Sequence, residues 1–156
     1  MPTHYVGDEK TQLALDTFIK IRRASKVIAD KTSRLLAAYG LSESQFGTLE
    51  ALYYLGPMHQ SAIGEKLLVS DGNMTMVINN LEKRGLISRQ RDETDRRQMT
   101  VSLTDIGHDL IEELFPKHAR NVTDLMNILC ADEQNQLGQL CKILGKQTRD
   151  DQPSDS

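Results

Sequence analysis

Tryptophan is absent from this chain, and three phenylalanines with four tyrosines are all the aromatic residues among its 156 positions. So few large flat side chains argue against a sandwich or barrel and for a helix-rich protein. No apolar run approaches the ~20 residues needed to span a bilayer. The opening MPTHYVGDEK also lacks a basic stretch followed by an apolar one. The expectation is a cytoplasmic protein with no membrane contact.

Cysteine is scarce too. Cys130 and Cys141 stand without a CxxC spacing or a histidine at ligand distance, which gives neither a zinc site nor a disulfide framework. On one continuous helix they would lie ~16 Å apart, too far for a bridge. Both read as small core residues, with a redox-sensing thiol as the alternative. The parts of an enzyme are likewise missing. His4, His59, His108 and His118 are scattered without a matching nucleophile, a glycine-rich phosphate loop or a carboxylate cluster. No catalysis, metal or cofactor is expected.

Overall positive charge is lacking, since the net charge is −3, but its distribution is uneven. Residues 1–103 carry fourteen Lys/Arg against twelve Asp/Glu, and residues 104–156 carry five against ten. An acidic protein can therefore keep a local basic footprint for nucleic acid. That footprint is visible in RQRDETDRRQMTVSLTDIG, which places Arg89, Arg91, Arg96 and Arg97 in one short run.

What is present is helical periodicity. From Thr11 to about Ala38, apolar residues recur three or four apart with no Gly or Pro until Gly40, predicting a long amphipathic helix. Ser42 and Gln45 have the capping-box spacing and open a second helix that ends at Gly56-Pro57. A short third follows in HQSAIGEKLL. In SDGNMTMVINNLEKRG, Met74, Val77, Ile78 and Leu81 define a buried stripe. The opposite face shows Gly72, Thr75, Met76, Asn79, Asn80 and Lys83, small and amide-rich. Such a face is either a neutral solvated surface or a row able to hydrogen-bond base edges and phosphates.

After Gly85, LISRQR and TVSL alternate apolar and polar residues around the turn DETDRRQ, a β-hairpin tipped by Asp95, Arg96 and Arg97. Thr104 is placed to cap a long helix reaching about Leu129, which Pro116 should kink or break. A last helix spans roughly Asp132 to Gly145, and the polar remainder, 148–156, reads as disordered. The fold class is mainly α with a two-stranded β-hairpin wing. A short helix, a tight turn and a second helix followed by a basic hairpin make a winged helix-turn-helix. Arginines at such a tip can enter the minor groove while the preceding helix lies in the major groove.

The run Leu81-Glu82-Lys83-Arg84-Gly85-Leu86-Ile87-Ser88-Arg89, then Asp95-Arg96-Arg97 and Val101-Ser102-Leu103-Thr104-Asp105-Ile106-Gly107, resembles the signature of the MarR family of bacterial transcriptional regulators. The resemblance covers about residues 13–145. It implies that 1–156 is a single MarR-like domain. Within it, 41–103 would be the winged DNA-binding lobe, with 11–40 and 104–147 forming a helical dimerisation region. It implies a homodimer acting as a repressor on a pseudo-palindromic operator in double-stranded DNA. By position, Ser70, Asp71, Asn73, Thr75, Met76 and Asn79 become candidates for operator contact. Arg97 becomes the minor-groove arginine, Asp95 the carboxylate that orients the arginines, and Arg89 and Arg96 phosphate contacts. Asp71 beside phosphate is awkward and is expected to cap its helix instead.

Regulators of this kind respond to a small phenolic, quinone or other aromatic effector held between the dimer region and the lobe, or to cysteine oxidation. The resemblance puts Tyr39, Phe46, Tyr53, Tyr54 and His59 near the effector's walls, positions where aromatic residues also serve as core. The competing reading from another class is a dimeric helical scaffold whose winged lobe binds a protein partner. A small-molecule carrier would leave the arginines unexplained.

Overall fold

The computed structural model describes residues 2–150, with side chains through residue 146. The Asp8 carboxylate accepts from the Thr11 amide and starts α1, which runs from Glu9 to Ala38. Gly40 closes it in the left-handed region at φ 66°, where a residue without Cβ is at ease. The expected capping box opens α2 (Glu43–Leu55), with Ser42 Oγ accepting from Gln45 N and Gln45 Oε1 accepting from Ser42 N.

Helices α3 (Gln60–Leu67) and α4 (Asp71–Lys83) follow, joined by a tight turn in which Leu68 is left-handed at φ 54°. The wing consists of β2 (Ile87–Arg91) and β3 (Met99–Leu103), antiparallel, with Arg89 opposite Val101. A third strand had no signal in the sequence. β1 (Met58–His59) pairs with the other edge of β3, giving the order β1-β3-β2. Two residues are too few to display an alternation, so the expected two-stranded wing is part of a three-stranded sheet.

α5 (Asp105–Met126) starts where Thr104 Oγ1 accepts from Gly107 N at 3.1 Å while donating to Gly85 O at 2.6 Å. It continues through Pro116 without the expected break. Pro116 is exposed and neighbouring Leu114 fully buried, so packing holds the helix across the hydrogen bond that proline removes. α6 (Ala131–Asp150) extends beyond Gly145 into a segment expected to be disordered. Helix-favouring Lys and Gln outweigh the single glycine there. The rest of that expectation, residues 151–156, lies outside the described residues. Cys130 and Cys141 are exposed rather than in the core; Cys130 lies in the turn before α6, and Cys141 on α6, which buries none of its described side chains.

The chain forms two compact units, residues up to Ala119 and residues from Arg120 onward. The hydrophobic core belongs to the first. Leu36 of α1 and Leu49 of α2 join Ile63, Met74, Ile78 and Leu81 of the helix-turn-helix, Ile87 and Val101 of the wing, and Ile111 and Leu114 of α5. Recognition-type helix and wing thus share one close-packed interior. Two further devices fix their relation. Arg84, at the end of α4, donates to Tyr39 O at 3.0 Å and Gly40 O at 2.7 Å, a cation on the carbonyls of a helix C-terminus. Gly107 lies so close to the wing's first residues that a methyl there would fall inside the Leu86 carbonyl.

Candidate nucleic-acid interface

The amphipathic stripe of α4 is used as its spacing predicts. Met74, Ile78 and Leu81 are buried and Val77 is half-buried. This leaves Asn73, Thr75, Met76, Asn79, Asn80 and Lys83 exposed on the other side. The N-cap is Ser70, whose Oγ accepts from Asn73 N. Asp71 is therefore not the cap. It is the first helical residue, where its charge still complements the positive end of the helix. Thr75 has its hydroxyl proton committed to Asp71 O at 2.9 Å and accepts from Gln60 Nε2 at 3.2 Å. Met76 is 70% exposed, an apolar side chain that no neighbour covers.

The wing explains why acids and arginines alternate. Asp92 Oδ1 accepts from the Thr94 hydroxyl and from the amides of Thr94 and Asp95. The Thr94 hydroxyl, followed by the Asp95 and Thr94 amides, holds the Asp92 carboxyl down to about 2. Asp95 Oδ1 accepts from Arg97 N at 3.1 Å and sits 3.6 Å from Arg97 Nε. The acids thus organise the backbone of the tip, and Arg91, Arg96 and Arg97 project from it. The Arg97 side chain is 94% exposed. Arg89 differs from these three. Its Nη2 bonds Glu82 Oε2 at 2.6 Å, so its guanidinium ties β2 to α4. Arg97, Asp71, Gln60 and Ser61 border one cleft of about 210 Å³ between the wing and the start of α4.

Four of the five candidate effector residues meet α5. Tyr39 Oη donates to Glu113 at 2.9 Å and accepts from Lys117 at 2.6 Å. The Glu113 contact, followed by Tyr39, pushes Lys117 up to about 12. Phe46 is buried and meets the His118 ring at 4.5 Å in a tilted contact, and His118 Nδ1 is buried without a hydrogen-bond partner. Tyr53 contacts His108 at 5.0 Å, and Tyr54 contacts Phe115 at 5.1 Å. His59 is not gathered with them. It lies on β1 with Nε2 3.8 Å from Asp92 in the wing. The sequence reading left Phe115, Lys117 and His118 out of the effector candidates, because helical spacing alone does not reveal that they face aromatic residues. It also missed Gln45, recognised there only as a cap, although its Nε2 donates to Asn80 Oδ1 at 3.0 Å.

The MarR family profile matches residues 41–99, from the start of α2 into the wing. Among relatives, the HTH-type transcriptional regulator YkoM of Bacillus subtilis is 33% identical over 139 residues, spanning 89% of this chain and 90% of that protein. The transcriptional repressor MprA of Escherichia coli is 30% identical over 139 residues, spanning 85% of this chain and 76% of its own length. Among solved structures, that of reduced AbfR bound to DNA matches with a TM-score of 0.73 at 25% identity, covering 90% of this chain and 96% of that one. No helix among the described residues is long and apolar enough to cross a membrane.

Proposed function

Because the chain belongs to the MarR family of transcriptional regulators, we propose that it acts as a dimeric repressor whose two winged lobes read the half-sites of a pseudo-palindromic operator. Members of this family bind DNA and catalyse no reaction, so the chain is a DNA-binding regulator and not an enzyme. The observation that carries the specific reading is the pairing of an acid-poor, amide-bearing outer face on α4 with a wing whose Asp92 and Asp95 accept from the tip's own amides and whose Arg91, Arg96 and Arg97 are exposed. In this reading α4 enters the major groove with Asn73, Met76 and Asn79 near base edges, and Arg97 enters the adjacent minor groove. Arg96 takes phosphate. Arg89 contributes by bracing the wing against α4.

Residues 41–103 serve as the reading lobe, and the helices on either side hold two copies together in the cytoplasm. Support for a second copy is the apolar surface that one chain leaves open: Leu13, Phe18, Ile21 and Val27 on α1, and Leu137, Leu140, Ile143 and Leu144 on α6. An aromatic effector, phenolic or quinonoid, is favoured by the aromatic residues that meet α5: Phe46 against His118, Tyr54 between Tyr53 and Phe115, and Tyr39 bonded to Glu113 and Lys117. By binding one lobe spacing better than another, such a ligand shifts the population away from the operator-competent form.

Selection of bound sequences from a random duplex library at two salt concentrations tests the reading. The expected result is an inverted repeat with half-sites about one helical turn apart, bound less tightly as salt rises. Sequence-independent binding would make the protein a chromosome coat. An absence of DNA binding would turn the winged lobe over to a protein partner.

A further inference from the structure

We propose that Gln45, on a helix that carries none of the candidate contacts, is a positioning residue for DNA reading. It fixes the side-chain amide of Asn80 with its oxygen turned to α2, so that Asn80 meets the operator through its NH2 as a donor. This inference rests on the assignment of α4 as the DNA-reading helix.

The polarity follows from one unambiguous atom. A backbone N–H can only donate, and Ser42 N lies 2.9 Å from one end of the Gln45 amide. That end must be Oε1. The other end is therefore the NH2, which lies 3.0 Å from Asn80 and requires an acceptor there. Asn80 Oδ1 is thus committed to α2, and its own NH2 is the free end of the amide.

Gln45 cannot easily turn over to release this arrangement. Its backbone N also donates to Ser42 Oγ at 3.2 Å, completing the reciprocal capping box, so a flip would set two N–H donors against each other. Asn80 is exposed and borders, with Ser42, Ser70, Asn73 and Met76, an open groove of about 630 Å³ between the starts of α2 and α4. Both helices present their positive ends there.

The chemical consequence is specific. An asparagine with both ends free reads adenine in a bidentate fashion, donating to N7 and accepting from N6. With Oδ1 turned towards α2, the two ends of the Asn80 amide cannot both face one adenine edge, so Asn80 loses that code and its NH2 recognises a hydrogen-bond acceptor: guanine O6 or N7, thymine O4, or a phosphate oxygen. The capping box of one helix thereby sets what a neighbouring helix reads.

Gln45→Glu is the informative substitution. Glutamate keeps the acceptor for Ser42 N, and so the cap, but replaces the donor facing Asn80 with an acceptor. Asn80 then turns over and offers its oxygen to DNA. Site selection and affinity are measured for wild type, Gln45→Glu, Asn80→Ala and the double variant, with thermal melts to confirm the fold. The added negative charge acts equally with and without Asn80, so the cycle removes it.

If the partner is a base edge, Gln45→Glu moves the preference at one position per half-site from guanine or thymine towards adenine or cytosine. The shift is about three- to tenfold, the range of one hydrogen bond, and is absent in the Asn80→Ala background. If the partner is a phosphate, affinity falls by a similar factor on all sequences and the fall shrinks in that background. Equal effects of Gln45→Glu in both backgrounds would overturn the positioning role, as would wild-type behaviour of both single variants. A wild-type protein without salt-sensitive DNA binding would remove the DNA-reading assignment itself, and this inference with it.

Discussion

Helices α4 and α6 carry the same kind of apolar stripe and meet opposite fates. On α4, Met74, Ile78 and Leu81 at three- and four-residue steps are sealed into the core. On α6, Leu137, Leu140, Ile143 and Leu144 follow the same steps, yet Leu140 is 61% and Ile143 60% exposed. Amphipathic spacing states that a face needs covering and not what covers it. The first stripe is completed by the chain's own wing and by α2, α3 and α5, whereas the second is exposed. That difference separates a lobe that holds its shape from the surface on which the proposed dimer rests.

The largest expected effect comes from breaking the open stripe. Leu140→Glu loses a buried leucine twice in a symmetric dimer and adds a charge at each site. The dimer should weaken by about 4 kcal/mol, on the order of a thousandfold in its dissociation constant. Sedimentation should show monomers whose lobe still folds. A dimer of unchanged strength would mean that α6 is covered by something other than a second copy.

Next in size is damage to the sealed region. Gly107→Ala forces a methyl against the Leu86 carbonyl, which is backbone and cannot swing away. Overpacking at such a site should cost about 3 kcal/mol, read as an earlier unfolding midpoint at fixed protein concentration. Retention of wild-type stability would show that α5 can shift away from the wing without loss.

Much of this architecture was legible beforehand because it depends on local rules. The Ser42–Gln45 capping box, the cap at Thr104 and the buried stripe of α4 each follow from spacing within one segment. What escaped depends on partners far apart in the chain. β1 is two residues long and exists as a strand only because β3 passes beside it. Asp71 looked like a cap because acids favour helix starts, but Ser70 one residue earlier has the extended backbone from which a side chain reaches the Asn73 amide. The bond of Arg89 to Glu82 had no signal either, because it joins two elements that no periodicity relates. The cysteines looked like core because a free thiol packs as a small apolar residue, but Cys130 lies in the turn before α6 and Cys141 on a helix with no buried side chain among its described residues.

A smaller effect tests whether the sealed lobe is also the reading surface. Arg97 is nearly free of protein contacts, so Arg97→Ala should leave folding and dimerisation unchanged while weakening operator binding about tenfold, the scale of one charged hydrogen bond. Titration of a labelled operator at moderate salt measures this directly. Unaltered affinity would remove Arg97 from the contact set.

The smallest effect concerns how the wing tip holds Arg97 in place. Asp92 accepts from the Thr94 hydroxyl and from the Thr94 and Asp95 amides, and its folded value of about 2 lies below the ordinary 3.8. A depressed carboxyl favours the folded tip at pH values above its unfolded value, and that contribution is lost as pH falls through the folded one. The amide signals of Thr94 and Asp95 should therefore hold steady on acidification to about pH 4 and shift with a midpoint near 2. Asp92→Asn should move the same signals at neutral pH and loosen operator binding less than Arg97→Ala does. A midpoint at the ordinary carboxylate value would mean that the loop is ordered by its strands alone. Arg97 would then be positioned by the β-hairpin rather than by the acids between its arginines.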